Sequence, residues 1–384
     1  MHAMTEYGGA AQLQVTRRGV LWVGLKCDVR CKFCYDDRIH PRDKIWLPLE
    51  QAIEALNKFR YFYKNEFVDF MGGEPTLHPR MLEIVHHASS IGLRPTIITH
   101  GMHLADPALV QKYKQAGIGD FLVSIHGIGA TARQIHMWGT DNFEKQMTAL
   151  RALKEAGIPF RFNCVPIKDN LDQLIDVVAL AAQTGARVVN FLTFNPYFEW
   201  AKEGHVEFQV SHSSAAPHLS AAIKLGESLG VEVNVRYFPI CMLPGYEKNV
   251  YTGFQLPYDP HEWDYNSWYD QKAEAVPIRE WYSIASEHQR RRHNYVHPSA
   301  CTACAARSIC DGVHSQYFSR WGDSELRPVS GAQLSDPCHF TQHQEKHRYA
   351  AGAEDLRATH LSMSRLTATQ FDGSLNNRAG IRTK

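Results

Sequence analysis

The stretch Cys27-Asp28-Val29-Arg30-Cys31-Lys32-Phe33-Cys34-Tyr35 sets three thiols in C-x3-C-x2-C spacing, directly after the apolar run Val20-Leu21-Trp22-Val23-Gly24-Leu25. That run reads as a buried strand, so the thiols occupy the loop that leaves it. Three cysteines on one short loop can converge on one cluster face, and thiolate sets are what iron–sulfur sites use. Zinc asks for four ligands and usually draws them from paired C-x2-C units. Two blander readings stand beside the cluster: free cysteines are common core residues, and a triplet is half of a zinc site. Three ligands leave one iron of a cubane open, which suits a site that binds and activates something.

Further along, Phe67-Val68-Asp69-Phe70 closes on Gly72-Gly73-Glu74-Pro75. With this second motif the chain resembles the radical S-adenosylmethionine (SAM) superfamily, whose C-x3-C-x2-C follows the first barrel strand and whose Gly-Gly-Glu-Pro turn follows the second. Phe33 stands as the aromatic residue before the last thiol. The resemblance covers roughly residues 17–345.

Strand-then-helix alternation surrounds both motifs. Strands are expected at 20–25, 67–71, 95–99, 121–125, 160–165 and 187–193, with helix-period segments at about 48–63, 79–91, 107–116, 142–156 and 170–184. Gly92, Gly117, Gly157 and Gly185 follow the later helices as left-handed caps, and Pro48 and Pro107 fall early, where a missing N–H costs nothing. Six such units imply a parallel sheet with right-handed crossovers. Near-continuous apolar strands fit a sheet covered on both faces. An open doubly wound sheet would read the same; the resemblance implies an α/β partial (β/α)6 TIM-like barrel. Chemistry in parallel barrels gathers at C-terminal strand ends. The cysteine loop, Gly72-Gly73-Glu74, Thr99-His100, Ser124-Ile125-His126, Asn163 and Asn195 all fall there. A helix at about 217–229 and a strand at 231–237 complete the core. The expected division is an extension over 1–16, the barrel over 17–237, a small irregular unit over 238–345 and a polar tail, partly disordered, over 346–384.

The resemblance implies a [4Fe-4S] cluster on Cys27, Cys31 and Cys34 whose open iron chelates the amino and carboxylate groups of SAM. One-electron reduction by an external flavodoxin- or ferredoxin-type donor then breaks the C5′–S bond and releases a 5′-deoxyadenosyl radical. Gly72 and Gly73 permit close backbone approach to a ligand, so their carbonyls and Glu74 are expected at the methionine ammonium. Ser124 and Asn163 are expected at the SAM carboxylate and ribose, with Thr99 a further polar contact. Each alone reads equally as a turn residue. His126, His136 and Glu199 are candidate proton-handling groups at the barrel mouth, although among 21 histidines any one is more often a surface or hydrogen-bonded residue. Tyr197, Phe198 and Trp200 either pack a flat substrate or close the lateral opening.

A second set, Cys301-Thr302-Ala303-Cys304 with Cys310, has C-x2-C-x5-C spacing. It resembles the auxiliary-cluster region of the SPASM and shorter Twitch subgroups. The full SPASM pattern has seven cysteines and two clusters; here His314 stands where one cysteine is expected, and none follows Gly245. Cys241, Cys301, Cys304, Cys310 and Cys338 suffice for one auxiliary [4Fe-4S] cluster. Cys241, just after the last core strand, is favoured over Cys338 as fourth ligand. A zinc knuckle is the competing reading. Full ligation favours electron transfer, whereas a free Cys241 would serve as a hydrogen-atom donor, the device of radical epimerases.

Composition bounds the rest. With 384 residues, 44% hydrophobic and 21% charged, and a net charge of +1, the chain has the make-up of a globular protein and no electrostatic footprint for nucleic acid. No apolar run reaches membrane-spanning length. Met1 to Leu13 lacks the layout of a signal peptide, and nine cysteines without one argue for metal or redox chemistry in the cytoplasm. The expectation is a cytoplasmic radical SAM oxidoreductase or isomerase that oxidises or epimerises a sugar, aminocyclitol or nucleoside. With 26 residues before Cys27 and about forty after the last cysteine region, the added peptide-recognition domain that peptide-modifying members often carry is not expected here, which tilts the expectation towards a small molecule. A peptide maturase with a separate recognition chain and a metal-binding protein without SAM turnover are the alternatives.

Overall fold

The computed structural model describes residues 18–34, 46–62, 65–136, 143–194, 205–251, 295–335 and 339–344. The expectations for residues 1–16, Asn195, Tyr197 to Trp200 with Glu199 among them, Cys338 and the tail past 345 lie outside these residues, as does the side chain of His136.

Strands β1 (Arg18–Gly24), β2 (Phe67–Gly72), β3 (Arg94–Thr99), β4 (Asp120–Ser124), β5 (Phe160–Cys164), β6 (Val188–Leu192), β7 (Glu232–Arg236) and β8 (Val250–Tyr251) lie side by side in chain order. Every neighbouring pair is parallel. Parallel neighbours need crossovers. These come from α1 (Leu49–Asn57), α2 (Met81–Ser90), α3 (Pro107–Ala116), the short α4 (Ala130–His136) with α5 (Phe143–Ala156), α6 (Leu174–Thr184) and α7 (His212–Leu229). The fold is an α/β, TIM-like partial barrel. It extends beyond the six strands expected: β7 was foreseen as completing the core, while β8, two residues long, is too short to carry a period. Local signals set the helix ends. Asp106 accepts a bond from the Ala108 N–H at 2.9 Å beside Pro107, and α3 stops at Gly117 with φ of 89°.

The strands alternate where near-continuous apolar runs were expected. Val68, Phe70, Ile97, Phe121, Val123, Phe160, Phe162, Val189, Phe191, Val233 and Val235 join the helices in one core. Successive strand side chains point to opposite faces, so Asp69, Thr96, Asp120, Arg161, Asn163, Asn190 and Asn234 line the other face, the barrel lumen. Polar groups buried there pair with each other: Asp120 takes Arg161 and Thr96, and Asn234 donates to Asn190 at 3.0 Å.

Beyond the sheet, β9 (Tyr295–Val296) pairs antiparallel with β10 (Val313–His314), and α8 (Ser315–Trp321) follows. This segment docks on α7 through His212, whose ring stacks on Tyr317 at 3.8 Å and meets Phe238 edge-on at 4.6 Å. Both His212 ring nitrogens are buried without a hydrogen-bond partner, and burial pushes its pKa down to about 3. An unfolded histidine titrates near 6.5, so below about pH 6.5 the unfolded chain binds a proton that the folded chain refuses. Stability is full above that pH and declines as pH falls towards 3, by about 2 kcal/mol at pH 5 from this residue alone. His212→Phe keeps the stack and removes the titration. Melting temperatures at pH 7.5 and pH 5 should converge in the variant relative to wild type.

No helix among the described residues is long and apolar enough to cross a membrane.

Candidate functional site

The loop after β1 is tied to the turn after β2. The Gly73 N–H donates to Gly24 O at 2.9 Å and the Glu74 N–H to Lys26 O at 2.7 Å. Here the glycines are obligatory: a Cβ on Gly73 would lie 2.2 Å from Lys26 O, and one on Gly72, where φ is 129°, 1.9 Å from Gly24 O. Sequence reasoning assigned both to close ligand approach; the backbone they admit is that of the cysteine loop itself. The loop's far end is held by Lys32, whose N–H donates to Ile135 O at 3.1 Å and whose Nζ meets Asp169 at 2.7 Å. Phe33 packs with Ile135, Ile167 and Phe194 and meets the His126 ring edge-on at 4.8 Å.

Between these anchors sit Cys27, Cys31 and Cys34, all half-buried and none in a disulfide. Burial pushes the Cys27 and Cys31 thiols well above the usual range, and the charges of the neighbouring thiols add to it. Such groups stay protonated until a metal displaces the protons, so ligation and deprotonation are coupled. Asp28, next to Cys27, accepts bonds from His100 Nε2 at 2.9 Å and His103 Nε2 at 3.0 Å. Burial works against its ionisation, but these two bonds hold the carboxyl well below the usual carboxylate range.

Glu74 is 1% exposed. Its Oε1 accepts from the Thr76 N–H, Thr76 Oγ1 and Thr99 Oγ1 at 3.0, 2.6 and 2.7 Å, and its Oε2 from the His100 N–H at 3.0 Å. Thr99 Oγ1 accepts in turn from the Gly101 N–H at 2.9 Å. Both side chains were expected at SAM, and both spend these polar atoms pinning the turn to the end of β3. Ser124 and Asn163 lie level on β4 and β5. Asn163 Oδ1 is buried with no partner, a state that costs about 1–3 kcal/mol unless something donates to it. His126 is buried in the wall, where its Nδ1 accepts from the Val165 N–H at 3.1 Å.

A second thiol group assembles beyond β7. Cys241, on the turn Ile240–Met242, joins Cys301, Cys304 and Cys310 in lining one small cavity with Pro239 and His297. Cys304 and Cys310 are 6% and 8% exposed. Burial raises the Cys241 thiol and pushes those of Cys301 and Cys310 up to about 11 and about 12. Backbone N–H groups of Val329 and Gly312 point at Cys304 Sγ and Cys310 Sγ at 3.3 and 3.4 Å. His314, standing where the longer pattern has a cysteine, caps α8 by accepting from the Gln316 N–H at 3.3 Å.

Residues 23–181 match the family model of the radical SAM superfamily. Those residues carry a radical SAM domain that takes in both motif loops. Among curated proteins, the chain is 23% identical over 282 residues to the AdoMet-dependent heme synthase of Methanosarcina barkeri, covering 66% of this chain and 78% of that protein. It is 26% identical over 172 residues to the probable GTP 3′,8-cyclase of Sulfurisphaera tokodaii, where the match takes 44% of this chain and spans about half, 53%, of the other. Among solved structures it resembles Streptococcus suis SuiB bound to its precursor peptide SuiA, with a TM-score of 0.58 at 15% identity over 86% of this chain and 79% of that chain. At that identity the likeness concerns the fold.

The donor set fits the groups the superfamily implies. A trio of convergent thiols on an accessible loop suits a cluster with one open iron, and the orphaned Asn163 Oδ1 suits a ligand hydroxyl. Sequence reasoning placed His100 at the end of the third strand but gave it no role, and passed over His103 and the side chain of Asp28. Their signal was their position: an acid beside a candidate ligand, and two histidines just past the end of the third strand.

Proposed function

We propose that the chain reductively cleaves S-adenosylmethionine and abstracts a hydrogen atom from a small-molecule substrate, with one auxiliary [4Fe-4S] cluster. The observation that carries this reading is the thiol trio Cys27, Cys31 and Cys34 on a loop pinned at both ends to the C-terminal rim of the barrel. A cluster bound there would supply SAM with the electron, drawn from a flavodoxin- or ferredoxin-type donor, that breaks its C5′–S bond.

The chain's own residues bind and orient. The carbonyls of Gly72 and Gly73 face the methionine ammonium, with Glu74 and Thr99 stiffening the turn behind them. Asn163 Oδ1 accepts from a ribose hydroxyl, and Ser124 lies beside it for the carboxylate. Val165 occupies Nδ1 of His126, which leaves the ring proton on Nε2 as the one it would move; Glu199 is the second proton-handling candidate. The polar lumen, with Arg161, Asp120, Asn190 and Asn234, supports a polar small molecule. Two relatives named for heme synthesis and GTP cyclisation support a non-peptide substrate in the same direction.

Four thiols around one cavity support full ligation of the auxiliary cluster by Cys241, Cys301, Cys304 and Cys310. That favours electron transfer, and so oxidation over epimerisation. Anaerobically reconstituted protein given dithionite and SAM should release 5′-deoxyadenosine. Full iron content with no release would leave a metal-binding protein without turnover.

A further inference from the structure

Asp28 is not one of the three thiols assigned to the cluster, yet both its oxygens are committed. Oδ1 accepts from His100 and Oδ2 from His103, across 72 and 75 residues of chain. The direction of these bonds is set by the protein. Nδ1 of His100 accepts from the Met102 N–H at 3.1 Å, so the ring proton sits on Nε2 and is donated. His100 is itself immobile: it is 4% exposed, its carbonyl accepts from Gln146 Nε2 at 2.8 Å, and its Nε2 lies 3.2 Å from Glu74 Oε2. One polar chain therefore runs from the cysteine loop through Asp28 and His100 to Glu74, and from there to Thr76 and Thr99. The Sγ of Cys27, a carboxylate oxygen of Asp28 and a nitrogen of His100 all lie within 4.8 Å of one another.

We propose that Asp28 is a positioning residue for the radical cluster, a two-armed clasp to His100 and His103 that holds Cys27 in place and sets a negative charge beside its sulfur. This rests on the reading that Cys27, Cys31 and Cys34 hold that cluster. Two consequences separate the clasp from an ordinary surface contact. A fixed anion near the ligating sulfur opposes the arrival of an electron, so it lowers the reduction potential. Tethering the loop at both oxygens slows loss of the ligand, as groups that orient metal ligands do.

The test uses the full-length reconstituted protein and follows the electron paramagnetic resonance signal that changes when SAM is added, which isolates the radical cluster from the auxiliary one. Asp28→Asn keeps the shape and removes the charge; the midpoint potential of that signal should move positive, with iron content kept. Asp28→Ala removes the clasp; iron loss to a chelator should quicken several-fold. His103→Gln cuts one arm and should give an intermediate loss rate while the potential stays near wild type. Unchanged potential in Asp28→Asn, or an unchanged loss rate in Asp28→Ala, overturns the clasp. A wild-type protein with no SAM-responsive signal overturns the cluster reading beneath it, a distinct result from either. One zinc per chain lost on Asp28→Ala, with iron unaffected, also overturns it, because the three groups would then be ligands of their own metal.

Discussion

5′-Deoxyadenosine formation is expected to fall to background when Cys27, Cys31 or Cys34 is replaced by alanine, with iron falling from about eight to about four per chain by the four-iron logic of cubane clusters. All three thiols are needed because a site that keeps one iron open has no spare ligand. Each is half-buried on the same loop; the charge of Cys34 raises the Cys27 thiol, and the charges of Cys34 and Cys27 raise that of Cys31. The loop is held at Gly24 and Lys26 on one side and at Lys32 on the other. Removing one thiol therefore leaves the other two where they were and cannot be compensated by a shift of the chain. The far cavity lined by Cys301, Cys304 and Cys310 should retain its own iron. Unchanged SAM cleavage in any of the three variants would refute the assignment.

The second large effect is expected at Cys241. Its replacement by alanine should remove about four irons per chain and destabilise the region that holds β9, β10 and α8, because metal binding and folding of a small irregular unit are coupled. Cys338→Ala should leave that cluster in place. The reason is positional. Cys241 shares one cavity with Cys301, Cys304 and Cys310, and its thiol is raised by burial and by the charge of Cys304. If Cys241 were instead a hydrogen-atom donor, its variant would keep both clusters and SAM cleavage while diverting the substrate radical to other products, and Cys338→Ala would strip the auxiliary iron. Iron analysis and electron paramagnetic resonance on the two single variants separate the outcomes. Two fully clustered variants would rule out both and direct attention to a non-cysteine ligand.

The parts of this protein legible in one dimension are those whose signals are local. The C-x3-C-x2-C loop, the Gly72-Gly73-Glu74-Pro75 turn and the β/α alternation each depend on spacing within about a dozen residues, and the helix caps at Asp106 and Gly117 depend on fewer. The strand faces were harder. Phe160-Arg161-Phe162-Asn163-Cys164 reads as apolar with interruptions until the helices on one side and the polar lumen on the other sort its residues.

Residue types and spacing determined the chemistry available: three thiols on one loop, a second group of thiols far along the chain, and a barrel whose strand ends collect polar residues. The tertiary structure decided which of those residues meet. It placed Cys241 beside thiols 60 and more residues away, turned Gly72 and Gly73 into a seat for the cysteine loop, and turned the Glu74 and Thr99 side chains into braces for the turn. It also brought His100 and His103 onto Asp28. The reason is that strand pairing brings residues at the ends of different strands within hydrogen-bond reach across separations of dozens of residues, where no spacing rule in the sequence connects them.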